Sequence, residues 1–470
     1  MSELNVIHAF PAKRFFVDML TRDIELLDAI LDLIDNSLDG AMRESRDVQN
    51  STSQKYQGFK TEITFDSEHF EIKDNCGGIP KEVAVNTAFR MGRPANDVDI
   101  DLPTVGVYGI GMKRAIFKMG KRSTIKSNTT DFSFNVQITP EWMEDDDSWD
   151  LPYEISKNVS TNKGTSIRVE NLRSGIVRTL GSDNEFSNDL KSAAEIYYSA
   201  FIDKGFEIVI NGQKIASSVN LLAIEDDFDK KEHAISPYVF IDSVEGVQIS
   251  VVIGFYRNFS SISEEDDALE GRASSSKAGI TIVCNDRVVI YADKTRMTGW
   301  GEAGVPSYHT QFISIAGVVR FQSNDPSKLP LTTTKRGIEG NSDLYLKVKE
   351  QIREGLKIFT SFTNKWKSRD DKTLLSIQNK TANGYFSASD VVAKIPNTFL
   401  KQIRGKGNEN AKRFIPNLPM PPKDSSNARI TFTRPLDDIK LLSEFYFDDD
   451  SKSANEVGEK CFDEALKRAQ

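Results

Sequence analysis

Ile24, Leu27, Leu31, Ile34 and Leu38 recur at spacings of 3, 4, 3 and 4. That period fits one face of a helix and predicts a helix from about Ala12 to Arg43. The same stretch reads ILDLIDNSLDGAM and sets Asp32, Asn36 and Asp39 at i, i+4 and i+7. At about 100° per residue these three lie within roughly 60° of one another, with Asp28 and Asp35 flanking them. Two readings stand side by side. The polar residues form a solvated acidic face, or a carboxylate that activates water sits beside an amide that holds a metal ion.

The full chain of 470 residues sets the frame, about three domains by length alone. Sixty Lys and Arg against 69 Asp and Glu leave a net charge of −9, which excludes a uniformly basic protein that coats nucleic acid but permits a local basic patch. A hydrophobic share of 39% suffices for sizeable cores. Cys76, Cys284 and Cys461 are too few and too far apart for a disulfide framework or a four-ligand zinc site, as expected in a reducing cytosol. No run approaches the length of a membrane span, and MSELNVIHAF lacks the basic and apolar blocks of a secretion signal. A cytoplasmic protein is expected. No internal repeat is visible.

Residues 61–73 alternate as a strand pair, and Asp74-Asn75-Cys76-Gly77-Gly78-Ile79-Pro80 follows as a turn. Adjacent glycines let backbone approach a flat ligand, and a carboxylate at a strand end can accept a bond from an amino group; an ordinary turn is the alternative. Residues 90–112 are rich in Gly, Pro and Asp, and MKRAIFKMG then opens a helix. The Gly106, Gly109 and Gly111 backbone ahead of a helix N-terminus suits phosphate, because free N–H groups and the dipole point at the anion. It lacks the ending of a P-loop and the setting of a dinucleotide fingerprint. Strands are expected at 123–138 and 164–171. A second region starts near 190 with the helix DLKSAAEIYYSAFI and a hairpin about Asn211-Gly212. Strand-like runs at 247–256, 279–291 and 312–321 and a long helix over 342–366 complete it. The acidic run 264–270 reads as a loop, residues 417–427 as a linker, and 435–448 and 454–469 as short helices.

In order, DLIDNSLDGA, DNCGGIP and GVYGIGMK resemble the conserved boxes of the GHKL ATPases, the superfamily of gyrase B, the large cytosolic heat-shock chaperone, histidine kinases and MutL. Lys163-Gly164-Thr165 resembles a later Gly-Thr element of the same family. The resemblance covers about residues 10–175, and more weakly 190–366. It implies an α+β fold: a Bergerat-type ATP-binding α/β sandwich over 1–180, a transducer-like α/β domain over 181–368, and a small, mostly helical C-terminal region over 369–470. It implies ATP and Mg²⁺ as cofactors. Asn36 would hold the metal and Asp74 would accept from the adenine amino group, with Thr165 nearby and Gly78 against the ring. Asp39, Ile79, Met91, Ile110 and Met112 would also border the nucleotide. Gly106, Gly109, Gly111 and Lys113 would meet the phosphates, within a mobile lid over 90–112.

Two positions depart from the family. Its general base is a glutamate four residues before the Asn, where this chain has Asp32. The shorter side chain sets its carboxylate back by about 1 Å, a displacement that can cost about a hundredfold in rate. Cys76 replaces the first glycine of the DxGxG turn. Hydrolysis of ATP to ADP and phosphate is expected, at low turnover.

Only His8 precedes the ATPase segment, which argues against a histidine kinase. The second region resembles the transducer of the gyrase, MutL and MORC branch and of related bacterial ATPases. There LPLTTTKRG makes Lys335 the candidate for the terminal phosphate, or a surface lysine in a Thr-rich turn. Two basic clusters, Lys113 to Lys126 and Lys401 to Arg413, are either solvated faces or contacts to a nucleic-acid backbone. The resemblance implies an ATP-driven clamp, a homodimer on ATP binding, acting on DNA in bacterial defence. A chaperone-like or signalling switch on a protein partner, and a non-hydrolysing nucleotide sensor, are the alternatives.

Overall fold

The computed structural model describes residues 12–45, 54–90, 109–146, 148–156, 162–181, 184–218, 221–224, 235–257, 275–332, 337–367, 384–404, 409–421 and 430–469. It is an α+β chain in two compact units, Met1–Met420 and Pro421–Gln470. Met91, Gly106, Lys335 and the acidic run 264–270 lie outside the described residues.

The helical stripe folds as two helices rather than one, α1 (Lys13–Arg22) and α2 (Leu26–Glu44). At the break, Lys118 Nζ donates to the Thr21 carbonyl at 3.1 Å and satisfies a backbone group at the end of α1. Ile24 is buried at this corner.

The first sheet has the order β5-β4-β3-β6-β2-β1-β7-β8. Its strands are β1 (Lys60–Phe65), β2 (Phe70–Asp74), β3 (Gly120–Asn128), β4 (Ser133–Ile138), β5 (Tyr153–Ile155), β6 (Gly164–Leu172), β7 (Glu207–Ile210) and β8 (Gln213–Lys214). Neighbours are antiparallel except β1 and β7, which pair in parallel from Lys60 opposite Glu207 to Ile63 opposite Ile210. Ile63 and Phe65 of β1 alternate inward and join one core with Ile30, Ile34 and Leu38 of α2. A short helix α3 (Lys81–Val83) continues as a π-turn, Ala84–Ala88, and α4 (Gly111–Met119) adds Ala115, Ile116 and Met119 to the same core. Outer elements are α5 (Pro140–Glu144), α6 (Ser174–Gly181), α7 (Glu185–Tyr197) and α8 (Ser199–Asp203). The hairpin at 207–214, read with the second region from the sequence, instead extends the first sheet. Its turn forms where expected, with Asn211 and Gly212 at φ 46° and 79°.

The second sheet runs β13-β12-β14-β11-β10-β17-β16. Its strands are β10 (Tyr238–Val244), β11 (Val247–Phe255), β12 (Gly279–Cys284), β13 (Arg287–Asp293), β14 (Ile315–Gln322), β16 (Lys401–Gln402) and β17 (Lys412–Phe414). The run 279–291 is a hairpin rather than one strand, because Asn285 and Asp286 both turn to positive φ, 46° and 67°. The basic residues Lys401, Lys412 and Arg413, assigned to the C-terminal region by sequence, join this sheet, Lys401 on the edge strand β16 and Lys412 and Arg413 on its neighbour β17. Helix α9 (Asp343–Trp366) packs Val348, Ile352, Leu356 and Phe359 against Tyr238, Ile253 and Phe255 on one face. The other face is covered by α10 (Ala388–Lys394) with the strand pair β9 (Leu221–Ile224) and β15 (Gly384–Ser387).

The second unit contains α11 (Leu436–Phe447) and α12 (Ala454–Ala469), the two short helices expected there. Among the described residues no helix is long and apolar enough to cross a membrane.

Candidate functional site

Every residue of α2 from Ala29 to Met42 is buried except Asn36. The Asn36 amide is therefore the single polar group that this stretch offers to the outside.

The turn after β2 meets α2 at Ser37 and Gly40. Ser37 Oγ donates to Asp74 Oδ2 at 3.1 Å. A Cβ on Gly40 would lie 2.5 Å from the Cys76 carbonyl oxygen, so the missing side chain is what lets helix and turn touch. Asp74 Oδ1 accepts from the backbone N–H of Cys76 at 2.9 Å and of Thr165 at 3.2 Å. A carboxylate oxygen has about two lone-pair sites. Oδ1 is filled, while Oδ2 accepts one bond among the described residues and has room for one more donor. Burial raises the Asp74 pKa above the usual carboxylate value, and the two N–H groups and the Ser37 hydroxyl hold it back.

Gly77 and Gly78 take φ of 93° and 77°, and a Cβ on Gly78 would lie 2.1 Å from the Asn128 carbonyl oxygen. Cys76 is not among the positive-φ residues, so its position requires no glycine, and the side chain is buried in the core. The Ile79 N–H donates to Ser127 Oγ at 2.7 Å, and that hydroxyl lies 3.3 Å from Thr165 Oγ1. The turn is thus fastened to β3 and β6.

At the other end of the helix, Gly111 opens α4 directly over Asp32. A Cβ on Gly111 would lie 3.2 Å from Asp32 Cβ. Arg114 Nη2 donates to Asp32 Oδ2 at 2.8 Å. Lys113 is turned inward: its Nζ donates to the Ala88 carbonyl at 2.9 Å and to the Gly109 carbonyl. Burial lowers its pKa to about 8. It therefore ties together the residues on either side of segment 91–108. Met112 is buried, Gly109 is exposed and Ile110 half-buried. Asp39 is buried, and its charge reaches the Tyr56 phenol.

The structure brings Asp32, Asn36, Asp74, Gly78, Ile79, Gly111 and Thr165 onto α2 and the elements touching it. It turns Lys113, Arg114 and Lys118 of the first basic cluster onto protein acceptors and leaves Lys121 and Lys126 exposed. In the second cluster Arg413 donates to Glu354 at 2.5 Å, while Lys401 and Arg404 are exposed. Sequence reasoning missed Ser37, Ser127 and the pairing of Arg114 with Asp32. Only the position of Ser37 beside Asn36 could have signalled its role. Among the described residues no group of His, Cys, Asp and Glu is placed to hold a metal on its own.

A buried acceptor with one open lone pair at the end of β2 and a glycine-opened N-terminus of α4, both against α2, can receive an amino-bearing ring and an anionic group at once. Residues 24–170 match the sequence model of the family described as histidine kinase-, DNA gyrase B-, and HSP90-like ATPase. The matched segment spans α2 through β6 and contains all of these groups. The family consists of ATPases that bind ATP with Mg²⁺, so the match supports ATP binding and hydrolysis at the level of the family. No curated protein matches the chain.

Proposed function

We propose that this chain binds Mg-ATP against α2 and hydrolyses it slowly. The observation that carries the reading is Asn36, the one exposed side chain between Ala29 and Met42 of α2, together with the open acceptor site on Asp74 Oδ2. Asp74 would take the adenine amino group, with Thr165 beside it and Gly78 under the ring. Asn36 would give one oxygen to Mg²⁺, which supplies charge neutralisation at the phosphates. The N-terminus of α4, opened by Gly111, would face the phosphates.

Asp32 is the candidate to orient the attacking water. Its reach is a methylene short of the family's glutamate, and Arg114 holds one of its oxygens. Both features favour low turnover. Lys335 would approach the terminal phosphate from the second region. In the finer reading, closure of residues 90–112 brings two copies together as a clamp on DNA, in defence by analogy alone. Exposed Lys121, Lys126, Lys401 and Arg404 support a phosphate-contacting surface. The Asp32–Arg114 pair also favours a second reading, a nucleotide sensor that does not turn over.

Calorimetric titration with ATP, with and without Mg²⁺, tests the binding. Phosphate release with and without duplex DNA then separates clamp from sensor. Absence of ATP binding overturns the proposal. Binding without phosphate release favours the sensor, and turnover indifferent to DNA removes DNA as the target.

A further inference from the structure

One residue before Asn36, Asp35 is fully buried. Its Oδ1 accepts from Arg287 Nε at 2.8 Å and lies 2.9 Å from the Tyr198 hydroxyl. That hydroxyl is also 2.8 Å from the Leu31 carbonyl oxygen, one turn back on α2. Arg287 opens β13 and is itself buried, its guanidinium carbon 5.7 Å and 5.9 Å from the ring centres of Tyr198 and Tyr197.

The hairpin tip that delivers Arg287 is fixed at each residue. Asp286 pairs with Lys204 and with Arg320, and Asn285 exchanges two bonds with Ser323, both 3.0 Å. Three residues before Asp35, Asp32 holds the Arg114 guanidinium of α4. So α2 carries two guanidinium groups, one from the helix that follows segment 91–108 and one from the second sheet.

We propose that the Asp35–Arg287 pair is a positioning contact that couples occupancy of the site at Asn36 to the second sheet, an inference that rests on the ATP reading above. A buried carboxylate–guanidinium contact tolerates few geometries, so a shift of α2 must carry Arg287 with it or break the contact. By linkage the second sheet then biases nucleotide binding as much as nucleotide biases the sheet.

The test compares the full chain with Arg287→Lys and with the double variant Asp35→Leu/Arg287→Met. The double variant replaces the charges by apolar groups of similar length, and the lysine variant keeps the charge without the fork. Hydrogen exchange across Gly279–Gln322 is measured with and without Mg-ATP, beside the ATP dissociation constant and turnover. In the parent, Mg-ATP slows exchange in β12 and β13. In both variants that slowing is lost and turnover falls about fivefold or more, while ATP still binds. Retention of the parent's ATP-dependent exchange in either folded variant overturns the coupling. So does a parent that binds ATP without any change in the second sheet. A parent that fails to bind ATP instead overturns the reading on which the coupling rests.

Discussion

The Arg287 guanidinium and the Asp35 carboxylate meet at 2.8 Å although 252 positions separate them in the chain. Neither is accessible to solvent to any useful extent. Removing one partner leaves the other as a buried, uncompensated charge. Arg287→Ala is therefore expected to lower stability by about 3–5 kcal/mol, whereas Asp35→Leu/Arg287→Met stays within about 1 kcal/mol of the parent or exceeds it. Urea unfolding of the three proteins checks this. Equal losses in the single and double variants would show that packing, not charge, dominates at this contact.

Asp74→Asn keeps an oxygen for the Cys76 and Thr165 N–H groups but replaces an acceptor by a donor. The adenine amino group would then face an amide NH₂ or lose its partner. ATP affinity is expected to fall about tenfold to a hundredfold or beyond, the range for a hydrogen bond to a charged group. Calorimetric titration reads it directly, and an unchanged dissociation constant removes Asp74 from the pocket.

Asp32→Asn removes the carboxylate proposed to orient water and keeps a side chain of the same size, with an amide oxygen to accept from Arg114. Phosphate release is expected to drop about a hundredfold or more with ATP binding retained. Turnover equal to the parent's would assign the reaction to another group.

Lys113 supplies a pH signature. Burial lowers its folded pKa to about 8 from the ordinary lysine value of 10.5. Below about 8 both folded and unfolded chains carry the charge, and its burial cost is present in full. Between about 8 and 10.5 the unfolded chain holds more protons, so stability rises with pH, by at most about 1.4 kcal/mol per unit. Urea unfolding of the parent and of Lys113→Met, from near neutral to mildly alkaline pH, should show a difference that moves in the parent's favour as pH rises. A difference that moves the other way would mean that the ammonium gains more from the Ala88 and Gly109 carbonyls than it loses by burial.

What could be read from the chain follows the range of the interactions. The stripe from Leu27 to Leu38, the strand pair before Asp74 and the Asn211-Gly212 turn are local patterns, and all form as expected. The break between α1 and α2 is not visible in the stripe, and its partner at the Thr21 carbonyl, Lys118, comes from a distant helix. The hairpin at Asn285-Asp286 is masked by the largely apolar runs Ile282–Cys284 and Val288–Tyr291 that flank its turn. At the site, Asp32, Asn36 and Asp74 stood out by spacing and residue type. Ser127 and Arg287 did not, since each acts only where the sheets bring it.

The parallel seam between β1 and β7 also governs how the ATPase-like segment can be isolated. A recombinant fragment ending at residue 180 would lack Glu207–Ile210, and the main-chain groups of Lys60–Ile63 would become an open border able to recruit another chain. Extending the fragment past Ile215, which is buried beside β7, closes that border and retains Tyr198 against Leu31.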